Sequence, residues 1–170
     1  IVCVVYYKHC LFLGLVCTGG VRGPGWPAGE VKVSNIWSAL PYPNNLCTGV
    51  MNGIHLFQLL NYSMSVATFE GENTDDGGRL LQISGLKITY NTELSPSRII
   101  SIDVLDRESG LFQPIDRLKL YEFATDSYLC GGYKPFVSLL GDGNLVVEGE
   151  QPGRIIEGVL YQEMLADFLN

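Results

Sequence analysis

The sequence predicts an α+β domain, on three observations. Short apolar runs bounded by turn residues dominate the chain, as strands do. Two segments, 53–64 and 160–169, instead carry the apolar spacing of helices. Strands and helices do not alternate regularly, as they would in a doubly wound sheet. With 170 residues, 46% of them apolar, the chain is large enough for one core. Neither an internal repeat nor a long linker divides it. Residues 1–170 are therefore expected to form a single domain, with 1–10 fitting the pattern least well.

Taken in order, residues 1–17 are strongly apolar, but Lys8 and His9 interrupt them. The run is shorter than a membrane-spanning helix and no small-residue cleavage pattern follows it. It reads as one or two buried strands leading into a glycine turn. The chain opens on Ile1 rather than methionine, which reads as a fragment or a processed product. Residues 31–40 suggest a strand end and then a short helix capped by Ser34 and stopped by Pro41. A strand over 46–51 follows. Asn52 caps a helix over 53–64 with Ile54, Phe57, Leu60 and Met64 on one face. The polar stretch 70–78, EGENTDDGG, is a surface loop. Strands are expected over 80–84, 86–90 and 99–104, separated by Gly85 and by turn chemistry at 91–97. Another covers 118–125 and ends in a loop carrying Tyr128. A looser glycine-rich part, 141–158, precedes the closing helix.

The formal charge is −7 and the pI about 4.7. Binding a nucleic-acid backbone needs a basic stripe, and no run of lysines or arginines occurs, so nucleic acid is excluded as a partner. One or two arginines still suffice for a small nucleotide. None of the five cysteines forms a CxxC pair, which argues against a zinc site of the usual spacing. The odd count leaves at least one thiol unpaired or paired outside the chain, and the compartment stays open. The heptad spacing of Cys3, Cys10 and Cys17 reads as coincidence. The sequon Asn61-Tyr-Ser63 falls in the expected helix.

Three segments carry the chemistry. Thr18-Gly-Gly-Val-Arg22 sets a guanidinium beside a glycine turn, where a ligand can approach the backbone. Leu40-Pro-Tyr-Pro-Asn44 sets an exposed aromatic and an amide on a proline-stiffened loop, a pairing suited to a planar polar ring. Tyr128-Leu-Cys-Gly-Gly132 supplies a second aromatic beside a glycine pair. Singly, each residue has a plainer reading: Arg22 as a surface cation, Tyr42 as cover for the core, Tyr128 as core or rim, Asn44 as a turn residue. Together they describe a pocket for a nucleobase and a phosphate. Trp26 and Trp37 read as packing residues, Asp75 and Asp76 as solvated, and Asp103 as lying on an exposed strand face.

The order of these segments resembles the C-terminal domain of the 5'-nucleotidase family, which includes ecto-5'-nucleotidases, UDP-sugar hydrolases and apyrases. The resemblance runs from about Leu11 to the end. It rests on Gly19-Gly-Val-Arg22, Gly29-Glu-Val-Lys-Val33 leading into Leu40-Pro-Tyr42, Asn44, and Met51-Asn-Gly53. It continues through Leu81-Gln-Ile-Ser-Gly85-Leu-Lys-Ile-Thr-Tyr90 and Phe123-Ala-Thr-Asp-Ser-Tyr-Leu129 with its glycine pair. The fold it implies is a mixed sheet with flanking helices.

By this resemblance the domain recognises a nucleotide and a covalently linked N-terminal metallophosphatase domain cuts it. Arg22 would contact phosphate, Tyr42 and Tyr128 would clasp the base where the family usually has phenylalanines, and Asn44 would read the base edge. The family usually follows its glycine pair with an aspartate that binds ribose; this sequence reads Gly131-Gly-Tyr-Lys-Pro135. Either Lys134 replaces it, or the contact is lost or supplied from elsewhere, with Asp142 a remote candidate. No cofactor is expected in this chain; two divalent metals such as zinc belong to the linked domain. His9 and His55 sit in apolar settings, far from any metal-ligand pattern. The chain alone is expected to release no phosphate. The resemblance further implies a secreted, cell-surface or periplasmic protein of nucleotide breakdown. A catalytically silent interaction module that keeps the fold is the alternative.

Overall fold

The computed structural model describes residues 6–7, 10–11, 13–23, 25–26, 28–65, 80–91, 93–94, 98–131 and 153–169. The strands are β1 (Tyr6–Tyr7), β2 (Cys10–Leu11), β3 (Leu13–Cys17), β4 (Asn45–Asn52), β5 (Leu81–Ser84), β6 (Leu86–Tyr90), β7 (Ile99–Leu105), β8 (Phe112–Pro114), β9 (Leu120–Asp126) and β10 (Gly153–Leu160). The helices are α1 (Val33–Ala39), α2 (Gly53–Ser65), α3 (Ser127–Gly131) and α4 (Tyr161–Leu169).

A five-stranded sheet in the order β10-β4-β9-β3-β5 forms the centre. Its β3–β9 pair is parallel and the other pairs are antiparallel, so the sheet is mixed, as expected. A second sheet, β6-β7-β8, and a two-stranded β1-β2 ladder complete the pairing.

The side chains of β3 show how the layers are built. Leu13, Leu15 and Cys17 enter the main core with α2, β6 and β7, while Val16 points the other way to Leu40 and Tyr161. This is the period-two alternation of a strand covered on both faces. One face of the central sheet therefore carries α2 and the second sheet, and the other carries α1 and α4.

Several elements differ from expectation. The cap of α1 is Lys32, whose N–H donates to the Asn35 side chain at 2.8 Å, so the asparagine does the work assigned to Ser34. Asn52 does cap α2, accepting from the His55 N–H at 2.9 Å. The buried face of α2, however, runs through His55, Leu56, Leu59, Leu60, Ser63 and Met64, and Ile54 is exposed. Two packed layers, not one, set that face. The sequon lies within this helix, where Ser63 is buried and its hydroxyl accepts from the Leu81 N–H. Gly53 is required by close approach: a Cβ there would run into the Asp116 carbonyl oxygen. The strand expected from residue 118 begins at Leu120, because Leu118 is held in a turn by the Asp116 carboxylate. The loop 70–78 and residues 132–152 lie outside the described residues.

Candidate functional site

Three chain segments meet at one end of the central sheet, where β3 and β9 finish and β4 begins. The first leaves β3 through a single 3-10 turn, Thr18–Gly20. Thr18 is fastened at both ends: its N–H and hydroxyl both donate to the Leu80 carbonyl, at 2.8 and 2.7 Å. Gly19 and Gly20 do not need left-handed backbone. Gly23 does, with φ of 79°, and a Cβ there would approach the Ser38 carbonyl oxygen at 2.9 Å. Between them, the Arg22 N–H donates to the Ala39 carbonyl at 2.7 Å, which docks this segment on the end of α1. The Arg22 side chain is exposed and has no ion-pair partner among the described residues.

The second segment is the proline loop. Asn44 N–H donates to the Tyr42 carbonyl at 2.7 Å, a γ-turn centred on Pro43, whose ring presets its φ. Gln162, 1% exposed on the first turn of α4, fixes the loop from beneath by donating to the carbonyls of Leu40 and Tyr42. Tyr161 N–H donates to the Asn44 carbonyl at 3.1 Å. Held this way, Tyr42 stands 48% exposed.

The third segment is α3, a short helix where a loop was expected. Asp126 makes it one: its carboxylate accepts the Leu129 N–H at 2.9 Å, satisfying a donor that the helix start leaves open. Register brings α3 beside the proline loop. Leu46 pairs with Asp126, and the next residue out, Asn45, donates its N–H to the Ser127 hydroxyl at 3.1 Å. A disulfide between Cys47 of β4 and Cys130 of α3 ties the same two segments. Leu129 is buried in the core, while Tyr128 stands 49% exposed. The structure thus gathers the segments of Arg22, Tyr42, Asn44 and Tyr128 at one end of the sheet.

The floor of this region carries two perturbed groups. Burial pushes the Asp126 carboxyl above its ordinary range, against the hydrogen bonds from Leu129 and Tyr128. Burial also pushes the free Cys17 thiol up, opposed by backbone hydrogen bonds from Gly20 and Gly19; the negative charge of Asp126 adds to the rise and the positive charge of Arg22 opposes it.

Among the described residues no nucleophile and base are paired here. His55 lies on α2, 8% exposed in the core, where desolvation lowers its pKa and Nδ1 finds no partner among the described residues. His9, Asp75, Asp76, Lys134 and Asp142 lie outside the described residues. Asp106 is half-buried and holds a turn, accepting from the Ser109 hydroxyl and N–H, which keeps its carboxyl below the usual range. Asp103 is half-buried rather than exposed, and Trp37 is 39% exposed rather than packed. Among the described residues no group of three His, Cys, Asp or Glu side chains could hold a metal ion. Their donor set does not fit the two-metal chemistry of a phosphatase, and no step is assigned through such ions here. The arrangement leaves two aromatic rings and a guanidinium exposed at one end of the sheet.

A cleft of about 1010 Å³ opens at the opposite end of the sheet, lined in part by Val50, Asp106, Arg107, Lys119, Tyr121 and Glu122. None of the four candidate residues lines it.

The comparison with known proteins agrees with the fold and the segment order. The family model described as the 5'-nucleotidase C-terminal domain matches residues 6–140. The chain belongs to that family. This 5'-nucleotidase C-terminal domain is 31% identical over 131 residues to the NAD 5'-nucleotidase of Haemophilus influenzae, a match covering 73% of this chain and 21% of that protein. It is 29% identical over 154 residues to the 5'-nucleotidase of Diplobatis ommata, covering 86% of this chain and 24% of that one. The solved structure of the Haemophilus influenzae NAD nucleotidase superposes with a TM-score of 0.71 at 26% identity, covering 93% of this chain and 26% of the other. The chain spans between a fifth and a quarter of the length of these curated relatives.

Proposed function

We propose that this domain is the nucleotide-recognition part of a 5'-nucleotidase-type phosphohydrolase. Tyr42 and Tyr128 clasp the base, Asn44 reads its edge, and Arg22 contacts phosphate. The observation that carries the reading is the meeting of the three segments at one end of the sheet, with both phenols about half exposed and fixed from behind. A base stacked on an aromatic gains about 1–3 kcal/mol, enough to matter in a micromolar complex of about 8 kcal/mol. An exposed guanidinium suits a phosphate, which it can grip with two parallel N–H bonds.

The metals and the hydrolytic step belong to a covalently linked metallophosphatase domain, and the described residues supply none of its ligands. A secreted, cell-surface or periplasmic setting accords with the Cys47–Cys130 disulfide, a bond that persists in oxidising compartments. The snake-venom 5'-nucleotidases among the relatives accord with it too. No described helix is long and apolar enough to cross a membrane.

The test is a titration with adenosine and with AMP, read by thermal shift and intrinsic fluorescence. Both should stabilise the chain, and Tyr42→Ala should remove the effect. Incubation with AMP and zinc or manganese should release no phosphate. The missing aspartate in Gly131-Gly-Tyr-Lys-Pro135 favours a second reading, a silent interaction module. Absence of any shift with nucleosides at millimolar concentration would decide for it.

A further inference from the structure

We propose that the Cys47–Cys130 disulfide is a positioning element of the ligand end: it holds α3 against the start of β4 so that Tyr128 stays beside the Tyr42–Asn44 loop, and breaking it weakens base binding. The inference rests on the base-clasping reading above.

The argument begins with the size of α3. At five residues, Ser127–Gly131, it is far shorter than a helix that sustains itself in water. Its placement comes from side-chain ties. Asp126 accepts from Leu129 N–H, Ser127 accepts from Asn45 N–H, Leu129 is 1% exposed in the core, and Cys130 is bonded to Cys47. Residues on both sides of Tyr128 are thus fastened while its ring stands out. Remove the disulfide and what remains is the hydrogen bonding at the start of the helix and one buried leucine.

The anchor at the other end is rigid. Cys47 is fully buried on β4, a strand paired on one side with β9 and on the other with β10. That strand begins directly after Asn44. The bond spans 83 positions of sequence to join the two segments that carry the two tyrosines. Cys47 follows Asn44 by three positions and Cys130 follows Tyr128 by two. A staple meant for the core as a whole has no need of that address. The free thiol of Cys17 is buried and, with its pKa raised, stays protonated near neutral pH, so it is a poor nucleophile toward this bond.

The experiment reduces the 170-residue chain under native conditions with a water-soluble phosphine, which reaches the partly exposed Cys130. Two electrons from phosphorus and two protons convert the disulfide to two thiols, and water supplies the oxygen of the phosphine oxide. Amide hydrogen exchange is followed over α3, β4 and β9. Adenosine affinity is measured in oxidised and reduced chains, in wild type and in Tyr128→Ala. The double variant Cys47→Ala/Cys130→Ala repeats the measurement without reductant.

Exchange should quicken across 127–131 while β4 and β9 stay protected. Adenosine affinity should fall about tenfold on reduction of the wild type and hardly change on reduction of Tyr128→Ala, because the ring being positioned is already gone. Unchanged exchange in α3 overturns the proposal. So does loss of protection throughout β4 and β9, which marks a general staple, or an equal loss of affinity in Tyr128→Ala. Should the oxidised chain bind no adenosine at all, the nucleotide reading fails; α3 exchange then still decides on the positioning of the helix alone.

Discussion

At one end of the central sheet, Tyr42 and Tyr128 stand 48% and 49% exposed beside an arginine with no described ion-pair partner. At the other end, the polar groups have found one another. Arg107 pairs with Glu122 at 3.0 Å, Asp116 N–H donates to the Tyr121 hydroxyl at 2.8 Å, and Gly53 presses on the Asp116 backbone. Lys119 lies over the Tyr121 ring and Arg117 over Phe57. The far end has a cleft of about 1010 Å³, but its charges are committed to structure. The near end keeps both rings about half exposed and the Arg22 side chain exposed. Exposed rings and a cation on a braced backbone argue for binding better than volume does, since a ligand gains only from groups it can reach.

The sharpest way to break this contrast is a core substitution near the far end. Leu56, fully buried on α2, should cost about 2–5 kcal/mol when cut to alanine, lowering Tm by roughly 5–15 °C. Adenosine affinity of the folded protein should not change. If it falls alongside Tm, the two ends are not separate in function.

The converse experiment is Tyr42→Ala. Its loss of stacking should weaken adenosine by about 1–3 kcal/mol, five- to 150-fold, while chemical denaturation stays within ~0.5 kcal/mol of wild type. A large drop in stability with retained binding would return Tyr42 to the role of core cover.

How these regions arise bears on what the chain shows before folding. The helix cap at Asn52 and the strands β6 and β7 are local patterns, and the structure keeps them almost to the residue. The buried face of α2 departs from the local pattern because its contacts come from two sheets far apart in sequence. β8, three residues ending on Pro114 at a sheet edge, and β10, opened by Gly153 and interrupted by Gly158 at φ 79°, lack the apolar runs that announce a strand. At the ligand end the segments Gly19–Arg22, Leu40–Asn44 and Tyr128 stood out in order. Their adjacency did not, because it comes from the β4–β9 register and from a disulfide 83 positions long. Cysteine count alone cannot fix a pairing. Asp126-Ser-Tyr-Leu129 does hold a legible signal, an acidic cap before a helix start. Gln162 holds none, since its task is to bond two carbonyls over a hundred residues away.

A smaller effect separates phosphate from base within the ligand end. Arg22→Ala should weaken AMP about five- to tenfold, near 1 kcal/mol for an exposed charged contact, and leave adenosine unchanged. Equal losses for both ligands would place the guanidinium elsewhere than on phosphate.

The smallest expected effect is a tilt of stability with pH, opposite in sign at the two ends. His55, buried in the main core, has its pKa lowered below 6.5 by desolvation. Its contribution is fully present above 6.5 and is lost as pH falls through that value toward the folded pKa, because the unfolded chain takes up the proton first. Asp126, behind Tyr128, has its pKa raised above 3.8, again by burial. Its contribution is fully present below 3.8 and is lost as pH rises through the raised value, because folding then confines a charge that the unfolded chain solvates. Two replacements isolate the limbs in a series of melting curves from about pH 4 to pH 8. His55→Gln should flatten the acid-side fall. Asp126→Asn retains an oxygen for the Leu129 N–H while removing the charge, so it should raise Tm near neutral pH and gain nothing at the acid end. An Asp126→Asn protein less stable at pH 7 would mean that the carboxylate charge itself, through Arg22 or the α3 dipole, braces the ligand end.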